Sequence, residues 1–466
     1  MRINSFINEH GKLIPVEVEI SLWPGLPTLT FLGRADQHLK ESAARIKSAL
    51  KAQGFEFPKA KQILVNLRPS HLKKTSRGIE LAVAAAYLWK TQQLPAPILS
   101  SDFYVYGELG LSGDVYQPDD LPKFFTENVS AVMTGSSRFE MRSEYTRHRI
   151  RSLAELSRPE MITGSSLGLA GFERPQLPRL WLPQSQARLL SLASIGGLHI
   201  FLAGASGSGK STLADLIHKM APMPTVESWK QICEQALNYG EEATFVPLVK
   251  PHHTTPTISM VGGGSVPMAG EITRAHRGVM VLDEFLEFRP QVVEALREPL
   301  EEGRIRVARA GKVQVFQAKF QCIATTNLCP CGDLSPETQG RKLCSYSLKR
   351  CSQYLEKLSG PILDRFHILH FTKKHSSEPR VSLESVFQQI EKTRNSGLEI
   401  QSVEIPEFWL SQLNENPLSE RRKKHLISVM KNIARLDSKH VVDADVFQEA
   451  YGLAVEPFSK IRTLLC

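Results

Sequence analysis

This chain of 466 residues has no apolar run approaching the roughly 18 residues that a membrane-spanning helix needs, so no span is expected. Its start, MRINSFINEHGKL, places no apolar stretch behind a basic cluster, and no secretory leader is expected either. Internal repeats and low-complexity tracts are absent. Cysteine is scarce: there are seven, an odd number, and four fall within residues 329–351. That placement reads as a local metal or thiol cluster rather than a disulfide framework. Together these absences point to a cytoplasmic protein. What is present, 42% hydrophobic and 23% charged residues, is ordinary for a globular chain, and the length implies two or three domains.

The net charge of +9 is unevenly placed. Residues 51–100 carry eight basic and two acidic side chains, and residues 301–350 carry nine and four. The whole excess sits in these two segments. They read either as solvated faces or as two polyanion-facing surfaces.

Residues 1–125 mix short β-rich runs (LIPVEVEI, LTFLG, QILVNL, FYVYGEL) with helices expected over 40–53 and 79–89. Pro159, Pro175, Pro178 and Pro183 lie in a stretch also containing glycine and serine, a composition suited to a linker. From Gln184 short apolar strands (HIFLAG, VMVLDEF, KFQCIATTN) alternate with helices, the pattern of a parallel α/β sheet. From about residue 375 the chain turns helical and polar. The expected division is 1–160, a linker over 161–183, an α/β core over 184–375, and a helical region over 376–466.

Gly204-Ala205-Ser206-Gly207-Ser208-Gly209-Lys210-Ser211, followed by Thr212, fits G-x-x-x-x-G-K-[ST] directly after an apolar strand. Glycines let successive backbone N–H groups turn around phosphate oxygens, and the next helix points its positive end there. Lys210 would reach the β- and γ-phosphates of ATP, and Ser211 would ligate Mg²⁺. Val279-Met280-Val281-Leu282-Asp283-Glu284 is a second apolar strand ending in two carboxylates. Asp283 suits the Mg²⁺ shell, and Glu284 suits orienting or deprotonating the attacking water. Asn327 ends a third strand and suits positioning the same water.

PHHT (251–254), VGGGS (261–265), PxxGEIxxAHRGVMVLDEF (267–285), EALREPLEEGR (294–304), CPCG (329–332) and SGPILDRFH (359–367) follow the phosphate loop in order. With GLPTLTFLG, LKESAARIKSALKAQGFEFP and VNLRP near the start, the chain resembles Mg-chelatase-type AAA+ ATPases of the bacterial ComM/YifB group. The resemblance implies a multidomain α/β and α+β protein: an AAA+ core with a parallel sheet, a helical lid, and an N-terminal domain similar to ribosomal S5 and Lon-type proteases. It further implies that Arg365 is an arginine finger acting on a neighbouring subunit and Arg421 a sensor-2 arginine, hence a homo-oligomeric ring, expected to be a hexamer. The implied activity is ATP-driven branch migration or helicase action on single-stranded or branched DNA, promoting integration of incoming DNA in natural transformation. Protein remodelling or metal chelation by the same ATPase chemistry is the alternative.

Ser76-Arg77-Gly78-Ile79 stands where Lon-type proteases carry their nucleophile, but the position of their general-base lysine holds Pro122 here. Proline cannot activate a serine, so a protease is rejected unless Lys123 turns inward. Cys329, Cys331, Cys344 and Cys351 give C-x-C-x12-C-x6-C, four thiolates suited to a structural Zn²⁺. The relatives show a second C-x-C whose last position is Tyr346 here, so the reading stands between zinc and buried thiols. Residues 304–316 read as a β-hairpin with Arg304 and Arg306 on one face. In related motors a hairpin here projects into the ring's pore, beside a glycine-rich second loop matching residues 255–270. Arg304, Arg306, Arg309 and Lys312 are the candidate DNA contacts; a solvated surface hairpin is the other reading.

Overall fold

The computed structural model describes the chain except residues 10–11, 33–36, 70–76, 98–99, 122–128, 138–142, 165–168, 170, 240, 265–267, 310–311, 333–345, 359, 375, 416 and 466. Ser76, Pro122, Lys123 and Cys344 therefore lie outside the described residues. The chain divides into two compact units, Met1–Ala170 with Cys233–Glu241, and Gly171–Ile232 with Glu242–Cys466.

In the first unit eight strands form one sheet, in the spatial order Glu160–Ile162, Thr146–Arg149, Ala131–Thr134, Phe103–Val105, Arg2–Glu9, Lys12–Pro24, Lys61–Arg68, Leu29–Phe31. Period-2 patterning sets each strand's inner face: Ile63, Val65 and Leu67 are buried while their neighbours are not. The helix Glu80–Lys90 (ELAVAAAYLWK) is apolar on every side, and it is buried from Glu80 to Trp89. Glu80 is the polar exception. Ser42 Oγ donates to it at 2.7 Å and the Leu109 N–H at 3.0 Å, and Arg45 Nε stands 3.4 Å away. Burial still raises its carboxyl pKa above the ordinary value.

The second unit is built on five parallel strands ordered Leu248–Val249, Val279–Leu282, Gln321–Thr326, Ile200–Gly204, Ile368–Thr372. Ile200–Gly204 is central and wholly buried, as a parallel strand covered on both faces must be. In register Ala203 pairs with Thr326 and Leu282 with Ala324, so three strands end along one edge. That edge receives the phosphate loop, Asp283-Glu284 and Asn327. Ligand crevices of open α/β sheets lie at such carboxyl ends.

The helix Gln184–Gly196 packs with the C-terminal helices Leu383–Asn395, Glu420–Leu436 and Ala444–Ala454 in one apolar cluster that includes Leu190, Leu202, Ile390, Met430 and Ala450. Ser382, Ser419 and Asp443 cap the starts of these three C-terminal helices, accepting from the N–H groups of Ser385, Arg422 and Val446. Trp181–Pro183 pairs antiparallel with Arg380–Ser382, so the end of the expected linker and the first residues of the expected lid form one two-stranded ribbon. No helix among the described residues is long and apolar enough to cross a membrane.

Candidate functional site

The phosphate loop turns directly off the central strand. Gly207 and Gly209 adopt φ of +75° and +85°, a region open to glycine, and nothing lies within 4 Å of a Cβ placed at either. The loop is tied at two points. Ser206 N–H donates to Gly332 O at 2.7 Å, and Ser208 Oγ and Thr372 Oγ1 share a hydrogen bond of 2.6 Å. Lys210 opens the helix Lys210–Lys219, and its Nζ donates to Gly204 O (3.0 Å), Ala205 O (2.8 Å) and Asn327 Oδ1 (3.0 Å). Burial lowers the pKa of this ammonium, and the charge of Asp283 acts against that shift.

Across the crevice, Ser211 Oγ lies 3.3 and 3.4 Å from the two carboxylate oxygens of Asp283. Thr325 Oγ1 donates to Asp283 and accepts from the Glu284 N–H at 3.4 Å. Glu284 itself has φ +52°, uncommon for a residue with a side chain and a typical backbone cost at working sites. Its carboxylate stays exposed, and His253 Nδ1 stands 3.5 Å from Glu284 Oε2. Beneath the site Phe201 packs edge-on against Phe285 and Phe366, with centroids 5.5 and 5.2 Å apart. These rings fix the phosphate-loop strand against the two later motifs.

The result is a pocket of about 330 Å³ lined by the loop residues Ser206 to Thr212, the carboxylates Asp283 and Glu284, and Thr325, Thr326 and Asn327. Its donor set fits a nucleoside triphosphate with Mg²⁺: backbone N–H groups and an ammonium for phosphate oxygens, a hydroxyl and a carboxylate for a hard cation. Gly204 and Ala205 do not line this pocket; they serve as the carbonyl anchors of Lys210. Sequence reasoning does not single out Thr325, Thr326, Thr372 or His253. The ATTN strand end and the PHHT motif mark Thr325, Thr326 and His253 only as members of motifs, and Thr372 is brought in by the sheet.

Arg365 and Arg421 stand elsewhere. Neither lines the pocket, and both pair with Glu301, Arg365 Nη2 at 2.9 Å. Arg422, next in sequence, is buried. It is bound to Asp364 Oδ1 at 3.0 Å and to the carbonyls of Leu363, Phe366 and Ala454, with its guanidinium 3.6 Å from the Phe458 ring centroid.

The expected hairpin is Arg304–Arg309 paired antiparallel with Lys312–Gln317, Arg306 opposite Val315. Ile305 and Val307 face inward, while Arg304, Arg306, Val313 and Val315 share the exposed face. Arg304 and Arg306 are paired with Glu302, and Arg306 also with Glu298. Within the glycine-rich stretch 255–270, Gly262–Gly263 pairs with Met268–Ala269. Cys329 and Cys351 are buried and Cys331 partly so. Among the described residues no group of three or more His, Cys, Asp or Glu side chains could hold a metal, and Cys344 is outside them.

Residues 181–379 match the family model of magnesium chelatase subunit ChlI, and residues 16–128 match the model of subunit ChlI of Mg-chelatase. The protein YifB of Salmonella typhimurium is 31% identical over 378 residues, 76% of this chain and 72% of its own. YifB of Escherichia coli is 28% identical over 486 residues, 94% of this chain and 93% of its own. The competence protein ComM of Haemophilus influenzae is 28% identical over 485 residues, 94% of each. The ordered motifs, the five-stranded parallel core and this likeness over nearly the whole length agree, and the chain belongs to the Mg-chelatase-type AAA+ family in its YifB and ComM group.

Proposed function

We infer that the protein hydrolyses ATP and uses the energy to move DNA, as branch migration or helicase action on single-stranded or branched substrates. The observation that carries the hydrolytic part is the convergence of Lys210, Ser211, Asp283, Glu284 and Asn327 on one pocket. Lys210 and the loop N–H groups bind the phosphates. Ser211 and Asp283 would hold Mg²⁺, which supplies charge neutralisation at the phosphates when bound. Glu284, with its exposed carboxylate, takes the proton of the attacking water, and Asn327 orients that water.

The arginine-finger role of Arg365 and the sensor-2 role of Arg421 belong to the same reading. Its support is that Arg365 does not line the pocket of its own chain, as a finger acting on a neighbouring copy's nucleotide requires. A ring, expected to be a hexamer, follows from that. The DNA part rests on the exposed basic hairpin and on likeness to a protein named for competence, and extends to uptake of foreign DNA by transformation. An S5- and Lon-like N-terminal domain and a C-terminal helical lid complete the proposal. The deciding experiment is the ATPase rate with and without single-stranded and branched DNA. Stimulation by DNA supports the reading; an ATPase indifferent to DNA supports a protein-remodelling or chelatase-type motor instead.

A further inference from the structure

The short helix Arg297–Glu302 stands between two sets of arginines. On one side Glu298 and Glu302 hold the hairpin arginines. On the other, Glu301 Oε2 accepts from Arg365 Nη2 at 2.9 Å while Glu301 Oε1 accepts from Arg421 Nη2. One carboxylate thus spans two guanidinium groups, one oxygen to each.

The two arginines are not held alike. Arg365 is nearly buried, and its Nε and Nη1 also donate to the carbonyls of Arg297 and Pro361. Those bonds keep it in place without Glu301. Arg421 is partly exposed on the first turn of Glu420–Leu436, and its guanidinium meets Glu301. Bringing two cations side by side is unfavourable: after burial, the charge of Arg421 is the next cause lowering the Arg365 pKa. Glu301 offsets that repulsion, and its own carboxyl is held below its ordinary range, first by the Arg421 hydrogen bond.

We propose that Glu301 is a positioning residue that gathers Arg365 and Arg421 into a pair able to meet one phosphate group together. The proposal rests on the reading above of Arg365 as a finger and Arg421 as a sensor-2 arginine, both directed at nucleotide phosphate. Its chemical core is the symmetry of a carboxylate, which offers an acceptor on each oxygen. An amide of the same shape offers one acceptor and one donor. Glu301→Gln therefore turns one of the two hydrogen bonds into donor against donor. Arg421, without the carbonyl anchors of Arg365, is the one that leaves.

The test measures steady-state ATPase kinetics, affinity for a fluorescent ATP analogue and thermal melting in the full chain. The variants are Glu301→Gln, Glu301→Asp, Arg365→Ala, Arg421→Ala and Glu301→Gln/Arg421→Ala. Glu301 is half exposed, so the amide is tolerated by the fold. Glu301→Gln should lower kcat roughly ten- to hundredfold, the scale of a misplaced catalytic group, with KM, nucleotide affinity and melting near wild type. The double variant should be no slower than Arg421→Ala alone, because Glu301 acts through Arg421. Glu301→Asp, which keeps two acceptor oxygens, should recover part of the rate. A wild-type kcat in Glu301→Gln, or rate reductions that multiply in the double variant, overturns the positioning role. Wild-type turnover in both Arg365→Ala and Arg421→Ala overturns the arginine reading itself, and the positioning role with it.

Discussion

Lys210 Nζ and Asn327 Oδ1 lie 3.0 Å apart, although 117 residues separate them in the chain. The sheet register brings them together: Ala203 pairs with Thr326, so the residues following each strand face one another across the pocket. In the proposed mechanism, phosphate binding and water positioning thus meet at a single hydrogen bond.

Lys210→Ala removes an ammonium aimed into the pocket. Without its charge-assisted hydrogen bonds, ATP binding should weaken by roughly a hundredfold or more. Glu284→Gln keeps the shape but cannot take a proton. It should bind ATP normally and hydrolyse it about a hundred- to ten-thousandfold more slowly, the usual worth of a general base. Binding by calorimetry and single-turnover hydrolysis separate the two, and near wild-type turnover in Glu284→Gln would remove it as the base.

On the proposed finger role, Arg365→Ala should leave nucleotide affinity unchanged while turnover falls about a thousandfold. Mixing Arg365→Ala with Lys210→Ala subunits should restore part of the activity, since some interfaces then combine an intact finger with an intact phosphate loop. Demonstrably mixed rings without recovery would sink the action in trans.

Arg306→Ala, Arg309→Ala and Lys312→Ala combined should weaken DNA binding and DNA-stimulated turnover and spare basal hydrolysis. The slope of log affinity against log salt should flatten by roughly 0.7–0.9 for each phosphate that the protein no longer neutralises. An unchanged slope would take this hairpin out of the DNA path and leave the basic segment around Lys73, Lys74 and Arg77 as the candidate surface.

His367 joins the strand starts to the helix Glu420–Leu436: it stacks on His425 with ring centroids 4.1 Å apart and meets the tilted ring of His199 at 5.2 Å. The Nδ1 atoms of His199 and His367 accept the backbone N–H groups of Cys322 and His199, which favours neutral rings. Burial brings His199 and His425 down from 6.5 to about 4 and lowers His367 well below 6.5; Arg422 adds to the shifts of His367 and His425, and Asp364 opposes that of His425. Folded pKa values below the unfolded ones mean that the unfolded chain takes up protons first, so stability is whole above 6.5 and falls as pH drops toward 4. Melting temperatures across that window should decline, and His425→Phe should flatten the decline. Equal slopes in the two proteins would exclude His425 from the acid response.

Elemental analysis of the purified protein should find about one zinc per chain if Cys329, Cys331, Cys344 and Cys351 form a tetrahedral thiolate site. A metal-free, folded and active protein would make these cysteines packing residues.

The phosphate loop and the Asp283-Glu284 pair are legible in the sequence because each is a contiguous motif set directly after a short apolar strand. Local chemistry defines them. Arg421 and Arg422 show where that legibility stops: adjacent arginines differ by about 100° around a helix. The Ser419 cap and the rotation of Glu420–Leu436 decide that Arg422 is buried against Asp364 while Arg421 reaches Glu301. The same holds for Thr325 under Asp283, His253 beside Glu284 and Thr372 against Ser208. By itself the sequence determined which chemical groups this protein possesses and which of them neighbour one another along the chain. Only the tertiary structure decided which distant groups share a hydrogen bond, because parallel strand register and helix rotation are set by the packing of the whole core.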